Sequence, residues 1–171
     1  NSIADRVAFA TWKYAVLPLI SRATDHFLPI QRYAQDFLTG QLCLDDTRTT
    51  ILPLGVDTDR FYPQKAGAAA HREDIMYSSE NILVITSGHI GRQKRVETLV
   101  LAMAELADEE QSVELLVVGP VPAGYLEELR SIVRESKLQA TFYGFAPNQK
   151  IAQLYNAADI GVFTGIGVSI N

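Results

Sequence analysis

The stretch that decides the fold is Asn81–Lys94, which reads NILVITSGHIGRQK. Asn81–Ser87 is an apolar run of strand length, and it leads directly into the glycine-bearing loop Gly88–Lys94. A helical pattern follows over Arg95–Ala107. A buried-type strand, a glycine loop and a helix in this order predict a βα unit of a parallel sheet.

The pattern repeats downstream of that unit. Val113–Val118 is a second buried-type strand, closed by Gly119 and Pro120. The next elements are predicted as a helix over Tyr125–Glu135, a strand over Thr141–Tyr143, a helix over Gln149–Asn156 and a strand over Ile160–Phe163. Strands that are apolar on both faces and alternate with amphipathic helices indicate a parallel sheet covered on both sides. We therefore predict an α/β fold with a Rossmann-like, doubly wound parallel sheet over residues 81–163.

Residues 1–55 have a different pattern. An apolar stripe at helical spacing predicts a first helix, which Pro18 should kink or end; its members are Ile3, Val7, Ala10, Tyr14 and Leu17. After the short stretch His26–Ile30, a second helix is predicted up to Gly40, and Thr49–Leu52 is a β-branched, apolar run. These residues predict alternating strand and helix. Residues 56–79 lack periodicity and predict a linker or crossover.

Composition narrows the class of protein. The chain is 47% hydrophobic and 20% charged, as is usual for a globular protein. Its formal net charge of -5 gives no broad attraction to phosphates, so we expect no nucleic-acid partner. The single cysteine, Cys43, fits a reducing, cytoplasmic compartment. No apolar run is long enough for a transmembrane segment; Val7–Ile20 is interpreted either as a helix packed within a domain or as an interfacial helix in peripheral contact with a membrane.

The chemistry is expected in the loop Gly88–Lys94, because ligands bind beyond the carboxyl ends of parallel strands. The loop combines two glycines with basic or titratable side chains, counting the residue that follows it: Gly88, Gly91, His89, Arg92, Lys94 and Arg95. Glycines let the backbone approach a ligand and the helix start offers free N–H groups, so a phosphate or diphosphate is the expected ligand. The alternative is a tight turn with solvated surface charges. The spacing matches neither the dinucleotide nor the Walker fingerprint.

Four segments occur in a specific order: ILPLGVDTDRFYP (Ile51–Pro63), NILVITSGHIGRQK, VELLVVGP (Val113–Pro120) and FYGFAPNQKIAQLYNAADIGVF (Phe142–Phe163). Together they resemble the retaining glycosyltransferases of family 4, or group 1, which include relatives of sucrose and glycogen synthase. The resemblance covers roughly residues 45–165. It implies the GT-B architecture, in which two Rossmann-like domains hold the active site in the cleft between them.

The resemblance also implies a domain division and a reaction. Residues 1–55 would be the C-terminal part of the acceptor-side, N-terminal domain, residues 56–79 the interdomain linker, and residues 80–171 a partial nucleotide-sugar-binding domain. The reaction implied is transfer of a sugar, with retention, from a nucleotide-diphosphate sugar to a hydroxyl of a carbohydrate, lipid-linked or small-molecule acceptor. No cofactor and no metal are expected. The chain is expected to be a fragment of a longer protein and inactive by itself.

In this family the glycine loop carries an Arg and, later, a Lys that bind the donor diphosphate. Gly88 and Lys94 fit this pattern, with Gly91 between them, while His89 stands where the Arg is expected. A neutral imidazole there replaces a permanently charged fork, and Arg92 is the candidate to substitute for it. The resemblance thus implies Lys94, together with Arg92, as the catalytic charges that stabilise the leaving diphosphate.

The turn Gly144-Phe145-Ala146 resembles the strand end whose backbone lies near the nucleotide base in the family. A glycine there permits close approach of a ligand; the alternative is a simple turn before the next helix. Asp159 is expected to be a structural residue at the start of a strand.

Asp57 and Asp59 form a D-x-D pattern, which binds a divalent metal in a different glycosyltransferase architecture. Here the pattern follows Gly55 in the segment that resembles an interdomain turn. We therefore expect these short side chains to hydrogen-bond the local backbone and expect no metal.

The family's acidic signature, a pair of glutamates that touch the donor sugar, should follow Phe163, where the chain reads TGIGVSIN (Thr164–Asn171). Its first member is absent or replaced by this small-residue loop. His26 and His71 are expected to be surface or capping residues. Two alternatives stay open: a nucleotide-sugar epimerase or phosphorylase on the same architecture, and a non-catalytic nucleotide-binding or interaction module, which the departure at His89 favours.

Overall fold

A computed structural model of the chain describes residues 3–41, 43–64, 72, 77–78 and 80–165. The chain divides into two compact units, Asn1–Val56 and Asp57–Asn171.

All helices and turns assigned among the described residues of the first unit are helical in type, and no strand is assigned there. In chain order it contains α1 (Ile3–Thr11), a π-helical turn (Trp12–Val16), α2 (Leu17–Ala23), α3 (Arg32–Gln41) and a 3-10 turn (Asp46–Arg48). Extended pairing within its described residues is limited to one parallel bridge between Phe27 and Thr49. The predicted alternation of strand and helix is therefore wrong here, because the short β-branched run near Thr49 forms a single bridge and no ladder.

Pro18 does not end the first helix. The helical path runs from α1 through the π turn into α2, and the Leu17 N–H donates to the Trp12 carbonyl across the wider turn. A proline ring clashes with the preceding turn of a regular α-helix, and the wider turn lies at that position. Within residues 3–41, 43–64 and 80–165, no helix has the length and apolar character needed to cross a bilayer.

The apolar stripe of that helix is largely exposed. Ile3 is 81% exposed, Val7 59% and Tyr14 73%, whereas Leu17 is buried. The predicted stripe assumes regular α-helical spacing, and the π-helical turn Trp12–Val16 interrupts that spacing. Spacing also does not determine whether another element covers the stripe.

The second unit is an α/β layer structure, which confirms the predicted fold class. Its elements are β1 (Ile82–Ser87), a 3-10 turn (Arg92–Lys94), α4 (Val96–Asp108), β2 (Val113–Val118), α5 (Ala123–Arg134), β3 (Gln139–Gly144), α6 (Asn148–Ala157) and β4 (Ile160–Gly161). The four strands are parallel and ordered β3-β2-β1-β4. β4 is shorter than predicted, although the Val162 N–H still donates to the Ile85 carbonyl at 2.9 Å.

The central strands are apolar because both of their faces are covered. On one face of β2, Leu115 and Val117 pack with residues of α4 and α5 in one core cluster. On the other face, Leu116 and Val118 pack with residues of α6. All four side chains are at most 1% exposed, so alternate residues of one strand stabilise two separate layers.

Three glycines stand at the carboxyl ends of neighbouring strands. Gly88, Gly119 and Gly144 follow or end β1, β2 and β3 with φ of +121°, +129° and +76°. The Gly119 N–H donates to the Gly144 carbonyl at 2.7 Å, and the Gly88 N–H donates to the Val118 carbonyl at 3.0 Å. A Cβ on Gly119 would lie 1.8 Å from the Gly88 carbonyl oxygen. The loops that leave these strands therefore approach each other backbone to backbone.

Replacing Gly119 with alanine should lower the free energy of unfolding by about 2 kcal/mol or more, because the new Cβ overlaps a backbone carbonyl and the positive φ disfavours any side chain. Urea unfolding followed by circular dichroism measures the change. Gly124→Ala in the first turn of α5 is the matched control, since a Cβ there meets nothing within 4 Å. Wild-type stability of Gly119→Ala would contradict the close approach of the two loops.

Candidate functional site

The glycine loop after β1 is held at the sheet edge by one buried side chain. Ile90 is 1% exposed and belongs to the core, while its neighbour His89 is exposed. The Ile90 N–H donates to the Pro120 carbonyl at 3.0 Å, which ties this loop to the loop after β2. The loop therefore keeps a fixed path while Gly88 and His89 face solvent.

A cavity of about 240 Å³ lies beyond the carboxyl ends of β1 and β4. Side chains and backbone from three segments line it: Thr86, Ser87, Ile90, Lys94, Val96, Phe163, Thr164 and Gly165. Lys94 is half-buried, and among these lining residues it is the one with a basic side chain. Of the predicted site residues, Lys94 is thus the one that the structure places in this cavity.

Lys94 ends a short, strongly constrained turn. Its N–H donates to the Gly91 carbonyl at 2.9 Å, and the Arg95 N–H donates to the Arg92 carbonyl at 3.0 Å. Arg95 then adopts the left-handed conformation with φ of 48°, immediately before α4 begins. This reversal separates the turn that carries Lys94 from the helix.

Arg92 extends in a different direction, onto α5. Its guanidinium is paired with the Glu128 carboxylate and lies 5.1 Å from the centre of the Tyr125 ring. The hydrogen bond and charge of Glu128 raise the pKa of Arg92. The two cations that the sequence groups together therefore have separate surroundings, Lys94 at the cavity and Arg92 on the helix.

Tyr125 connects α5 to the first turn of α4. Its hydroxyl accepts a hydrogen bond from the Glu97 N–H at 3.1 Å and donates one to the Glu97 carboxylate. Burial, reinforced by the hydrogen bond to Glu97, raises the pKa of Tyr125 to about 12. Sequence analysis did not single out Tyr125, Glu97 or Glu128. The spacing of Tyr125 and Glu128 on one helix face is a sequence signal, but the loop that they contact lies more than 30 residues away.

The turn after β3 presents its aromatic residue to solvent. Gly144 has φ of +76°, Phe145 is 78% exposed and Ala146 is 4% exposed. The Phe145 ring is therefore accessible at the same sheet edge as the glycine loop, while Ala146 anchors the turn in the second core layer.

The two aspartates of the D-x-D pattern lie in a local turn, as expected. The Asp57 carboxylate accepts a hydrogen bond from the Asp59 N–H at 3.2 Å and pairs with Arg60 at 3.4 Å. In the part of the chain that the structure describes, no three His, Cys, Asp or Glu residues group as metal ligands would.

The other residues weighed from sequence have structural surroundings. The Asp159 carboxylate accepts a hydrogen bond from the Leu83 N–H at 2.8 Å and pairs with Arg72 at 2.5 Å, which confirms its structural role at the start of β4. His26 lies at the surface, with Nε2 2.9 Å from the Thr50 hydroxyl. His71 and the segment after Gly165 lie outside the described residues.

Residues 69–170 match the family model described as "Glycosyl transferases group 1". This match covers more than half of the 171-residue chain. The chain therefore belongs to the group 1 family of glycosyl transferases.

The chain is also similar in sequence to proteins that are named as glycosyltransferases. The chain is 31% identical over 134 residues to a D-inositol 3-phosphate glycosyltransferase of Actinosynnema mirum, covering 72% of this chain and 31% of the relative. It is 32% identical over 111 residues to the GDP-mannose-dependent alpha-(1-6)-phosphatidylinositol monomannoside mannosyltransferase of Mycobacterium tuberculosis. That match covers 64% of this chain and 28% of the relative. The chain thus spans about three tenths of the length of these relatives.

Solved structures share the fold. The Anabaena protein HepE, in complex with UDP and glucose, matches 92% of this chain and 42% of its own with a TM-score of 0.76 at 19% identity. WaaG, a glycosyltransferase involved in lipopolysaccharide biosynthesis, matches 96% of this chain and 48% of its own with a TM-score of 0.69 at 22% identity. At these identities the likeness concerns the fold, which is that of the GT-B glycosyltransferases.

The raised pKa of Tyr125 predicts a pH dependence of stability. Because the folded-state pKa lies above the ordinary value of 10.0, the stabilisation is fully present below about pH 10 and is lost as the pH rises toward about 12. The free energy of unfolding of Tyr125→Phe should therefore fall less steeply over that range than the wild-type value. Urea unfolding at a series of pH values measures both slopes, with Tyr143→Phe as the comparison for loss of a hydroxyl. Identical slopes for Tyr125→Phe and wild type would contradict the prediction.

Proposed function

We propose that this chain supplies the donor-binding part of a glycosyltransferase, which transfers a sugar from a nucleotide-diphosphate sugar to an acceptor hydroxyl with retention. The observation that carries the proposal is the placement of Lys94 in a cavity beyond β1 and β4, beside a sheet edge formed by glycine backbone. Membership of the group 1 family supports the same reaction class.

The local geometry suits a diphosphate. Gly88 exposes backbone at the start of the loop, and a Cβ there would meet nothing within 4 Å, so the space above it is open. Lys94 adds a basic residue, half-buried as a whole, on a turn of fixed path. A cation held near leaving phosphates stabilises the negative charge that develops as the glycosidic bond breaks. Because the net charge of the chain is -5, such attraction has to be local.

We assign the other predicted site residues around this centre. Gly88 and His89 are exposed and face the diphosphate, while Gly91 is buried and supports the turn of the same loop. Gly144-Phe145-Ala146 form the turn that faces the nucleotide base. The exposed Phe145 ring offers a flat apolar surface of the kind on which bases stack. Arg92 was the second candidate for diphosphate contact, and its pairing with Glu128 favours Lys94 as the principal charge.

The donor and acceptor are proposed from the chemistry of similar proteins. HepE has been solved with UDP and glucose and with UDP-glucose, and the mycobacterial relative is named as GDP-mannose-dependent. We therefore propose a nucleoside diphosphate hexose as donor. The relatives' names also refer to inositol phosphate and phosphatidylinositol mannoside, which supports a carbohydrate, lipid-linked or small polyol acceptor.

We also propose that side chains, and no metal ion, balance the charge of the diphosphate. Asp57 already bonds the Asp59 N–H and pairs with Arg60, so this turn is committed to its own backbone. Residues 1–55 are proposed as the end of the acceptor-side domain, residues 56–79 as the interdomain linker and residues 80–171 as part of the donor domain.

A second candidate function is a nucleotide-binding module without catalysis. The observation that favours it is His89, which stands at the position where the family carries a permanently charged Arg. Such a module would bind the nucleotide but would not transfer the sugar.

Lys94→Ala should weaken binding of the preferred nucleoside diphosphate by about 1–3 kcal/mol, the scale of a charge-assisted hydrogen bond. Isothermal titration calorimetry of the chain with UDP, GDP and ADP identifies the base and measures the loss. Lys137→Ala is the matched control, because Lys137 is exposed and lies at the opposite, amino-terminal edge of the sheet, before β3.

Three outcomes separate the candidates. Binding that depends on Lys94, together with sugar transfer from the matching nucleotide sugar by a longer form that contains this chain, supports the enzyme. Binding that depends on Lys94 without transfer by that form supports the module. Absence of binding of all three nucleotides by a folded chain contradicts both.

A further inference from the structure

The turn that carries Lys94 is held from two sides by residues outside the glycine loop. Thr164 reaches it from the segment after β4, and α5 reaches it through Arg92. Both contacts join parts of the chain that are distant in sequence. The segments that hold the turn are therefore not its neighbours along the chain.

On the first side, the single proton of the Thr164 hydroxyl is shared between two carbonyl oxygens, that of Lys94 at 2.7 Å and that of Arg95 at 3.0 Å. It thus bridges two consecutive carbonyls at the point where the backbone turns into the left-handed conformation at Arg95. Thr164 is half-buried and lines the same cavity as Lys94. Next to it, a Cβ on Gly165 would lie 3.4 Å from Lys94 Cδ, so the lysine side chain runs alongside this segment.

On the second side, Arg92 is bound to α5 by its ion pair with Glu128 and by the face of Tyr125. An exposed ion pair alone contributes little to stability, and here the Arg92 side chain is 68% exposed and the Glu128 side chain 53% exposed. The aromatic face adds a contact with a buried ring, because Tyr125 is 4% exposed and is itself bonded to Glu97 at the start of α4. The start of the turn is therefore attached to two helices.

We propose that Thr164 and Arg92 are positioning residues for Lys94: they fix the turn that aims its ammonium into the cavity, and Arg92 does not itself contact the donor diphosphate. This inference rests on the proposed function, because it concerns the same diphosphate site. Lysine is a flexible point charge on a long stem, so its affinity for phosphate depends on how well its backbone is held.

The first experiment tests Thr164. Thr164→Val keeps the shape and removes the hydroxyl, and nucleoside diphosphate affinity, measured by calorimetry with the base that the wild type prefers, should fall about three- to tenfold. Thr164→Ser restores the hydroxyl and should recover affinity to within about twofold. Hydrogen exchange of the Lys94 and Arg95 amides, measured without nucleotide, should accelerate in Thr164→Val and return toward wild type in Thr164→Ser.

The second experiment tests Arg92 by exchanging the charges of its ion pair. Arg92→Glu and Glu128→Arg each place like charges together and should weaken nucleotide binding about three- to tenfold. The double variant Arg92→Glu/Glu128→Arg restores an opposite pair but not the cation–ring contact with Tyr125, so it should bind more tightly than either single variant without regaining full wild-type affinity. Direct contact of Arg92 with the diphosphate would instead leave the double variant as weak as Arg92→Glu.

These experiments distinguish failure of the positioning roles from failure of the proposed function. If the wild type binds and Lys94→Ala does not, but Thr164→Val binds as the wild type does, the positioning role of Thr164 is wrong. If a double variant with wild-type thermal stability binds nucleotide as weakly as Arg92→Glu does, the positioning role of Arg92 is wrong. If the double variant is unstable, the nucleotide affinity of Arg92→Met decides between the two roles. Direct contact with the diphosphate predicts a loss of affinity as large as that of Lys94→Ala, whereas a positioning role predicts a smaller loss. If no nucleotide binds the wild type, the proposed function fails and this inference fails with it.

Discussion

The close approach of two loop backbones is the constraint on which the rest of the site depends. Gly119 lies so near the Gly88 carbonyl oxygen that the two segments pack with no side chain between them. This contact, together with the hydrogen bonds from Gly88 to Val118 and from Ile90 to Pro120, aligns the loop after β1 with the loop after β2. The path of the glycine loop follows from that alignment, and the position of Lys94 follows from the path. A ligand site made of exposed backbone and one half-buried cation requires this degree of fixation, because few other groups are available to hold it in shape.

The α/β unit was predictable because the local sequence pattern of its strands matches their position in the sheet. Each central strand is covered on both faces, so β1 and β2 are continuous apolar runs that the sequence displays directly. The strand ends were also predictable, since Gly119 and Gly144 adopt φ values that favour glycine. The first unit was predicted less well. Periodicity predicted a helix there, but most of its apolar stripe is exposed, and a π turn, which has no simple sequence signal, interrupts the spacing and carries the helix past Pro18.

The candidate site was predictable only in part, because the directions of its long side chains depend on partners that are distant in sequence. The composition of the glycine loop identifies two cations, but a long side chain can extend in several directions and its direction is decided by partners elsewhere in the chain. Arg92 meets Glu128 and Tyr125 on α5, whereas Lys94 lies beside Thr164 and Gly165 after β4. Along the chain these partners are separated from the two cations by between 33 residues (Arg92 to Tyr125) and 71 residues (Lys94 to Gly165). The backbone conformation of the turn also matters, since the left-handed Arg95 divides the loop from the helix without a glycine to mark the place.

The strand order explains why the cavity opens where it does. From β1 the chain proceeds outward through β2 to β3 and then returns across the sheet to β4 on the other side of β1. The helix that follows β1 packs on one face of the sheet and the helix that precedes β4 packs on the other, so the winding reverses between β1 and β4. Open parallel sheets leave a crevice at such a topological switch point. Lys94 enters the crevice from one connection and Thr164 from the other. The location of the cavity is thus a property of the winding of the chain, and changes of side chain can alter what it binds without altering where it lies.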